Sequence, residues 1–204
     1  MPWTLPPRLA TQDDTGAVTA LRQYFGLTGQ EPFTGASFER LGGGGDRPEV
    51  RDQLTPEDLV AVTMLSVDVD PRAALAILGP LRGDISALLG KLPTGLDLVD
   101  VEGSSITPEW PAWKLWSRLH DLPNVGFVTA SKLLARKRPR LIPVYDTVVR
   151  ERVGRPDDFW MSLHGALQEN DHALHRRLLS IRDEAGVGAD ISALRVFDIV
   201  AWMP

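Results

Sequence analysis

Apolar residues recur every three or four positions along most of the chain, which is the spacing of one face of an α-helix. Several of these stretches begin with a residue type that caps helices, followed by a proline that fits the first helical turn. Such starts occur at Thr55-Pro56, Asp70-Pro71 and Thr107-Pro108, and further helical patterns run through residues 155–170, 171–186 and 190–203. The pattern predicts a mainly α protein with roughly eight helices.

The centre of the chain contains two amphipathic segments separated by a very short connection. Residues 112–121 and 127–137 both have helical spacing, and residues 122–126, with the sequence LPNVG, have the composition of a tight turn. The apolar positions of the second segment that share one face are Phe127, Ala130, Leu133 and Leu134. We therefore predict two helices that pack against each other across this turn.

The remaining segments predict loops rather than a second kind of structure. Residues 96–102 have a weak strand pattern that is too short and irregular to predict a sheet. We expect the proline-rich residues 1–14 and the glycine run within residues 41–48 to be flexible. No Lys-Ser or Lys-Thr follows that glycine run, which disfavours a phosphate-binding loop. Because no repeat is visible, the sequence predicts one globular helical domain over residues 1–204.

Composition excludes several classes of protein. The chain has 204 residues, of which 43% are hydrophobic, enough for one sizeable core. It has no cysteine, which excludes disulfides, thiolate zinc sites, cysteine nucleophiles and cysteine-held iron–sulfur clusters. We predict no cofactor and no metal. The sequence lacks a membrane-length apolar stretch and a signal peptide, so we expect a soluble, cytoplasmic protein.

Charge is distributed unevenly along the chain. The formal net charge is −5, whereas residues 132–152 contain seven basic and two acidic side chains. The basic residues are Lys132, Arg136, Lys137, Arg138, Arg140, Arg150 and Arg152. This local excess indicates an anionic partner, of which nucleic-acid phosphate is the leading candidate. The alternative is a basic helix paired to acidic residues elsewhere in the fold.

The predicted turn itself is able to bind a phosphate. Gly126 permits close approach of the backbone, and the amides that follow it are free donors reinforced by the helix dipole. Asn124 tolerates a left-handed backbone conformation. The residues that we predict to contact the DNA backbone are Asn124, Gly126, Lys132, Arg136, Lys137, Arg138 and Arg140. The alternative is a plain helical hairpin.

The stretch LPNVGFVTASKLL, followed by a basic loop and by PVYDTVV, resembles the helix-hairpin-helix superfamily of base-excision DNA glycosylases. Members of that superfamily have a Leu-Pro-Gly-Val-Gly turn, a Thr-Ala pair and a downstream Val-Asp-Thr. The resemblance is specific over residues 122–149 and looser over residues 55–153. It implies a helical core with a helix-hairpin-helix at residues 112–137.

The resemblance also implies roles for individual residues. Asp146 takes the place of the catalytic aspartate, which stabilises the cationic sugar formed as a base leaves or activates water. A base in duplex DNA is first flipped out of the helix. Val128 stands where members that also cut the DNA backbone have a lysine, so a Schiff-base step is not implied. From the residues alone, Asp146 has an alternative role as the N-cap of the next helix.

Other stretches resemble an uncharacterised bacterial domain family to which no function is assigned. They are FTGASFERLGGGGDRPEV at residues 33–50, DLVAVTMLSV at residues 58–67 and ASKLLARKRPRLIPVYDTVV at residues 130–149. This resemblance covers most of the chain. It supports one domain and implies no activity.

Three further patterns favour structural roles. The residues concerned are His172 and His175, then Trp110, Trp113 and Trp116, and finally Asp198. The histidines lie three apart on a predicted helix without a nearby carboxylate motif, so they favour a surface over a metal site. The tryptophans favour a core stripe over a base-stacking platform. The aspartate, in an apolar helix, is interpreted as a buried capping partner.

Three hypotheses for function remain open. The chain is a monofunctional glycosylase-like enzyme, a non-catalytic DNA-binding module, or a protein-interaction domain that uses residues 132–152. The enzyme requires a cavity beside Asp146, whereas the DNA-binding module requires only the hairpin and a basic face. The interaction domain predicts no salt-dependent binding of DNA. The sequence does not indicate an oligomeric state.

Overall fold

The chain folds into helices joined by short loops in the computed structural model, which describes residues 3–156 and 158–204. In chain order the α-helices of the described residues are α1 (Pro7–Ala10), α2 (Thr15–Tyr24), α3 (Pro56–Thr63), α4 (Pro71–Leu78), α5 (Arg82–Leu89), α6 (Pro111–His120), α7 (Phe127–Lys137), α8 (Thr147–Arg152), α9 (Phe159–Ala185) and α10 (Ala193–Trp202). The prediction of a mainly α protein is confirmed, and these helices form one compact domain.

Local capping sets several helix starts as the sequence predicts. The Thr55 side chain accepts from the Asp58 amide and the Asp58 carboxylate accepts from the Thr55 amide, which makes a reciprocal capping box for α3. Asp70 caps α4 by accepting from the Arg72 amide at 2.8 Å. The Thr107-Pro108 start is different, because α6 begins later, at Pro111. The Thr107 hydroxyl instead accepts from the Glu109 amide in a short turn before the helix.

The central pair of helices is confirmed. Helices α6 and α7 pack against each other and are joined by residues 121–126. Asn124 adopts the left-handed conformation, with φ at 60°, as its place in the turn predicts. The Trp116 indole donates to the Ser131 hydroxyl at 3.1 Å and ties the two helices together.

Helix α10 lies at the centre of the core. It packs against α1, α2, α8 and α9, and every residue from 193 to 201 is buried. The face predicted to be apolar is fully enclosed; its members are Leu194, Phe197, Val200 and Ala201. The opposite face of α10 is also covered, so its two charged residues, Arg195 and Asp198, lie inside the protein.

Three segments differ from their simplest sequence interpretation. Residues 98–100 form a 3-10 turn, and the described residues contain no strand. In the N-terminal segment that we expected to be flexible, Leu9 is buried and the ring of Trp3 stacks on Phe197. The helical patterns predicted for residues 155–170 and 171–186 both lie in α9, and the non-helical residues 169–172 separate them at the predicted boundary. Within the described residues, no helix is long and apolar enough to cross a membrane.

Candidate functional site

Asp146 is the N-cap of α8. Its Oδ1 accepts from the Val149 amide at 3.0 Å, so the capping prediction is confirmed. The side chain is 15% exposed, and its Oδ2 lies 3.6 Å from the Lys132 ammonium. The carboxylate is therefore held by a helix start on one side and by a buried cation on the other.

Lys132 reaches Asp146 from the middle of α7. Its side chain is 5% exposed, and its ammonium also donates to the Leu65 carbonyl at 2.7 Å. Burial lowers the pKa of Lys132, although the Asp146 and Asp198 carboxylates oppose that shift. Lys132 is thus an internal partner of Asp146.

A cavity of about 320 Å³ opens beside this ion pair. Its lining includes Val128 and Lys132 from α7 and Asp146 at the start of α8. Three aromatic rings that contact one another also line it: Tyr24, Phe33 and Trp202. Tyr24 and Phe33 are stacked with ring centres 5.5 Å apart, and Trp202 meets both edge-on. The cavity therefore combines flat apolar walls with a few charged groups.

Buried charges from α10 also line this cavity. Arg195 pairs with the Asp198 carboxylate on the same helix, and its Nε lies 2.6 Å from a Glu39 carboxylate oxygen. Arg195 also donates to the Tyr24 hydroxyl at 2.6 Å and to the Gly35 carbonyl at 3.1 Å. We call Tyr24, Glu39, Arg195 and Asp198 the Arg195 cluster. It contains one cation and two carboxyl groups.

Burial strongly affects the acids of the Arg195 cluster. Desolvation raises the pKa of Asp198 to about 7, although Arg195 opposes the shift. Desolvation likewise raises the pKa of Glu39, again against the effect of Arg195. Burial also opposes the charge on Arg195, but the two neighbouring acids outweigh it and raise its pKa. Arg195 therefore stays charged, and Asp198 changes its protonation state near neutral pH.

Hydrogen bonding in the Arg195 cluster is incomplete. Within the described residues, the buried atoms of this cluster without a well-aligned hydrogen bond are Asp198 Oδ1, both Glu39 oxygens and Arg195 Nε. Arg195 Nε and one Glu39 oxygen still form an ion pair at 2.6 Å. Burying a polar atom without a partner costs about 1–3 kcal/mol. Asp198 is therefore the acid of the cluster that both lines the cavity and has an unpartnered oxygen.

The basic side chains predicted to face DNA have a different location. Lys132, Arg136, Lys137 and Arg138 are all buried. Arg136 Nε donates to Asp58 at 3.1 Å, and the Lys137 ammonium donates to the same carboxylate at 3.0 Å. The prediction that these four side chains form a basic outer face is therefore wrong.

Arg138 and Arg140 are also paired within the chain. Arg138 donates to Asp52 at 2.6 Å and to the Leu89 and Leu92 carbonyls at 2.6 Å each. Arg140 is half-exposed and pairs with Asp97. These contacts agree with the alternative interpretation, in which the basic residues pair with acidic residues elsewhere in the fold. We call Asp52, Asp58, Arg136, Lys137 and Arg138 the Asp58 cluster.

The turn at residues 121–126 presents both donors and a negative charge. A side chain added at Gly126 would meet nothing within 4 Å, so the backbone in front of α7 is open. Gly126 is the N-cap of α7, and no side chain caps this helix. The Asn124 amide, however, donates to the Asp70 carboxylate at 2.9 Å, and this bond lowers the pKa of Asp70. A phosphate at the turn would therefore meet free amides beside an ionised carboxylate.

The tryptophan and histidine patterns have mixed outcomes. Trp110 is buried, as a core stripe predicts. Trp113 and Trp116 are only partly buried and line a second cavity of about 300 Å³. His172 lies at the interruption of α9, with φ at 61°, so the expected helical spacing to His175 is broken. The described residues contain no cluster of three or more potential metal ligands.

Sequence reasoning did not find most of the cavity. Tyr24, Phe33 and Trp202 are far apart in sequence and carry no shared motif. The one available signal was the charged pair Arg195 and Asp198, spaced three apart in an otherwise apolar helix. Charges in such a helix require internal partners, and here the partners come from distant segments.

Comparison with known proteins gives a family of unknown function. No curated protein and no solved structure matches the chain. One protein-family model, described as a family of unknown function, DUF6308, matches residues 17–204. Because that match covers most of the 204 residues, the chain belongs to the DUF6308 family.

Proposed function

We propose that this protein binds a nucleobase in the cavity beside Asp146 and hydrolyses the bond between that base and its sugar in DNA. The observation that carries the proposal is the cavity of about 320 Å³ that Asp146 and Val128 share. Of the three hypotheses from the sequence, only the glycosylase-like enzyme requires such a cavity.

The size and walls of the cavity suit a flat ligand. Small-molecule sites typically have volumes of about 300–1,000 Å³, so this cavity fits a ligand at the small end of that range. The rings of Tyr24, Phe33 and Trp202 supply apolar surfaces against which a heteroaromatic ring stacks. Lys132, Asp146 and Asp198 supply polar groups for its edge and for the attached sugar.

Asp146 performs the chemical step in this proposal. As the bond between C1′ of the sugar and the base nitrogen breaks, the base leaves with the electron pair and the sugar gains positive charge. The Asp146 carboxylate stabilises that charge, water forms the new bond to C1′, and the proton that the water loses is taken up by the departing base. Val128 supplies no amine, and the Lys132 ammonium is engaged by Leu65 and Asp146, so the enzyme releases the base without a Schiff-base step.

The grip on the DNA backbone is weak in this proposal. Phosphate contact relies on the helix-hairpin-helix interpretation of α6, the turn and α7, with the amides near Gly126 as donors. The side chains of the Asp58 cluster do not contribute, because protein acceptors already occupy them. One to three phosphate contacts predict a weak dependence of binding on salt. In a plot of the logarithm of the affinity against the logarithm of the salt concentration, the slope is negative and its magnitude is below about 3.

Base release from oligonucleotides tests the proposal. We expect the wild type to release a base from at least one member of a panel of damaged or mismatched duplexes and single strands. Asp146→Asn keeps the cap nearly isosteric but removes the charge, so release falls about 100-fold or more while the protein stays folded. Asp158→Asn is the matched control, because Asp158 caps α9 through the Met161 amide at 3.0 Å and does not line the cavity.

A second candidate function is ligand binding in the same cavity without catalysis. The observation that favours it is that Asp146 already caps α8 and pairs with Lys132, so its carboxylate has two structural uses. Equal base release by the wild type and Asp146→Asn, or none by either across the panel, would favour this candidate over the enzyme.

A further inference from the structure

We propose that Asp198 selects the occupant of the cavity, and that the favoured occupant is a flat ring whose inner edge carries an amino group, such as an aminopurine or aminopyrimidine. The inference rests on the proposed function only in taking the occupant to be a nucleobase. It assigns Asp198 a specificity role that is separate from the bond-breaking role of Asp146.

Asp198 has an unpartnered carboxylate oxygen. The residue is 2% exposed, lines the cavity, and has one carboxylate oxygen without a hydrogen-bond donor among the described residues. The other oxygen is held by Arg195. A buried carboxylate oxygen without a donor is stabilised when a bound ligand supplies one.

Three other polar side chains of the cavity have partners within the protein. Lys132 donates to the Leu65 carbonyl, Asp146 Oδ1 accepts from the Val149 amide, and the Thr34 hydroxyl donates to the Met64 carbonyl. Arg195 forms ion pairs with both acids of its cluster and donates to the Gly35 carbonyl. Among the buried charged groups of the cavity, the one left for a ligand is therefore the Asp198 acceptor, which favours ligands that present N–H donors.

The position of Asp198 is fixed, which is what selectivity requires. Arg195 holds its carboxylate and is itself anchored by the Tyr24 hydroxyl and the Gly35 carbonyl. The same Tyr24 belongs to the aromatic wall, stacked on Phe33. A ring lying against that wall is consequently oriented relative to the Asp198 oxygen.

Protonation of Asp198 changes what the floor offers. The charged and titratable groups that act on it are Arg195 from the same helix, Glu39, Tyr24 from α2, Lys132 from α7 and Asp146 before α8. Above a pH of about 7 the carboxylate is ionised and only accepts hydrogen bonds. Below that pH the acid also donates, so it pairs with a carbonyl edge as well. Discrimination in favour of amino edges therefore increases as the pH rises.

Binding of free bases to the full chain tests the inference. Trp202 in the cavity wall allows titration by intrinsic fluorescence, with calorimetry as a second readout. The probes are two matched pairs that differ by an exocyclic amino group in place of hydrogen: adenine with purine, and cytosine with 2-pyrimidinone. We expect the amino member of at least one pair to bind about tenfold more tightly at pH 8, and this ratio to shrink at pH 6.

Substitution of Asp198 supplies the second arm of the test. Asp198→Asn presents a donor as well as an acceptor, so the amino preference should fall several-fold, whereas Asp158→Asn should keep it. If Asp198→Asn does not fold, the pH dependence of the wild-type ratio decides the matter without a variant. Equal binding within both pairs at pH 8, a ratio that does not depend on pH, or no binding of any probe would overturn the inference.

The binding test of this inference and the base-release test of the proposed function can fail independently of each other. Selective binding of free amino bases without base release from any oligonucleotide would leave this inference standing and remove the catalytic proposal. Base release that depends on Asp146, together with equal binding of both members of each probe pair, would do the reverse.

Discussion

The Asp58 cluster and the Arg195 cluster both bury several charges, yet they differ in how completely those charges are satisfied. In the Asp58 cluster, the Asp58 carboxylate accepts hydrogen bonds from Arg136, Lys137 and the Thr55 amide. In the Arg195 cluster, Asp198 Oδ1 lacks a hydrogen-bond donor among the described residues, and Asp198 lines a cavity. A saturated network stabilises one packing arrangement, whereas an unsaturated one beside a cavity leaves a group for a ligand. The burial of charge alone does not distinguish the two.

The largest effect is expected from breaking the saturated network. Asp58→Asn leaves Arg136 and Lys137 without their common carboxylate, and removing one member of a buried ion pair typically costs about 3–5 kcal/mol. We expect a loss of that size in the free energy of unfolding, measured by urea denaturation. Asp84→Asn is the control, because its pair with Arg118 is half-exposed and contributes about 0–1 kcal/mol. Similar losses for both variants would contradict the structural role of the Asp58 cluster.

The Arg195 cluster should give stability an unusual dependence on pH. The folded-state pKa of Asp198, about 7, lies above its ordinary value of 3.8, so the folded protein binds the proton more tightly than the unfolded chain. That contribution is fully present below pH 4 and is lost as the pH rises to about 7. It amounts to a few kcal/mol at most, on the order of 1.4 kcal/mol per pH unit. Asp198→Asn should reduce this slope between pH 4 and 7, because only the part that comes from Glu39, whose pKa is also raised, would remain; an unchanged slope would show that Asp198 is not its source.

A glycine substitution probes how tightly the Asp58 cluster is enclosed. A Cβ at Gly45 would overlap the backbone carbonyl oxygen of Arg136, so Gly45→Ala should cost about 1–3 kcal/mol of stability. Gly83→Ala is the matched control, since Gly83 lies in α5 and a Cβ there meets nothing within 4 Å. Alanine favours a helix over glycine by about 1 kcal/mol, so this control should be neutral or stabilising. Equal thermal midpoints for both variants would contradict the tight packing at Gly45.

The smallest effect is expected at Asp146. Asp146→Ala removes the cap of α8 and should cost about 1 kcal/mol, whereas Asp146→Asn should cost less because an asparagine also caps a helix. Denaturation of both variants measures the difference. A loss for Asp146→Asn as large as that for Asp146→Ala would mean that the charge, through Lys132, matters more than the cap.

Local features of the fold were predictable from sequence. The caps at Thr55, Asp70 and Asp146 depend on contacts within three residues, and each forms as the sequence indicates. The left-handed Asn124 and the short connection between α6 and α7 depend on the same local chemistry. Such features follow from nearest-neighbour rules that any reader of the sequence can apply.

The location of the basic residues was not predictable in the same way. Arg136 and Lys137 carry the sequence signature of a charged outer face, but Asp58 is 78 and 79 residues away from them. Arg195 reaches Tyr24 across 171 residues. A charge pattern shows how many charged residues a segment has, but it does not show which of them form ion pairs after folding. The prediction that these side chains are exposed was therefore made without knowledge of their distant partners.

The central place of α10 has a consequence for how the protein is made. This helix spans residues 193–202 and supplies the middle of the core as well as Arg195, Asp198 and Trp202 of the cavity. During synthesis, the preceding helices leave the ribosome before the segment that joins them has been translated. Until then their apolar faces stay uncovered, and a nascent chain in that state is a natural client for chaperones. The cavity therefore forms only after α10 has been synthesised and has packed against the helices that precede it.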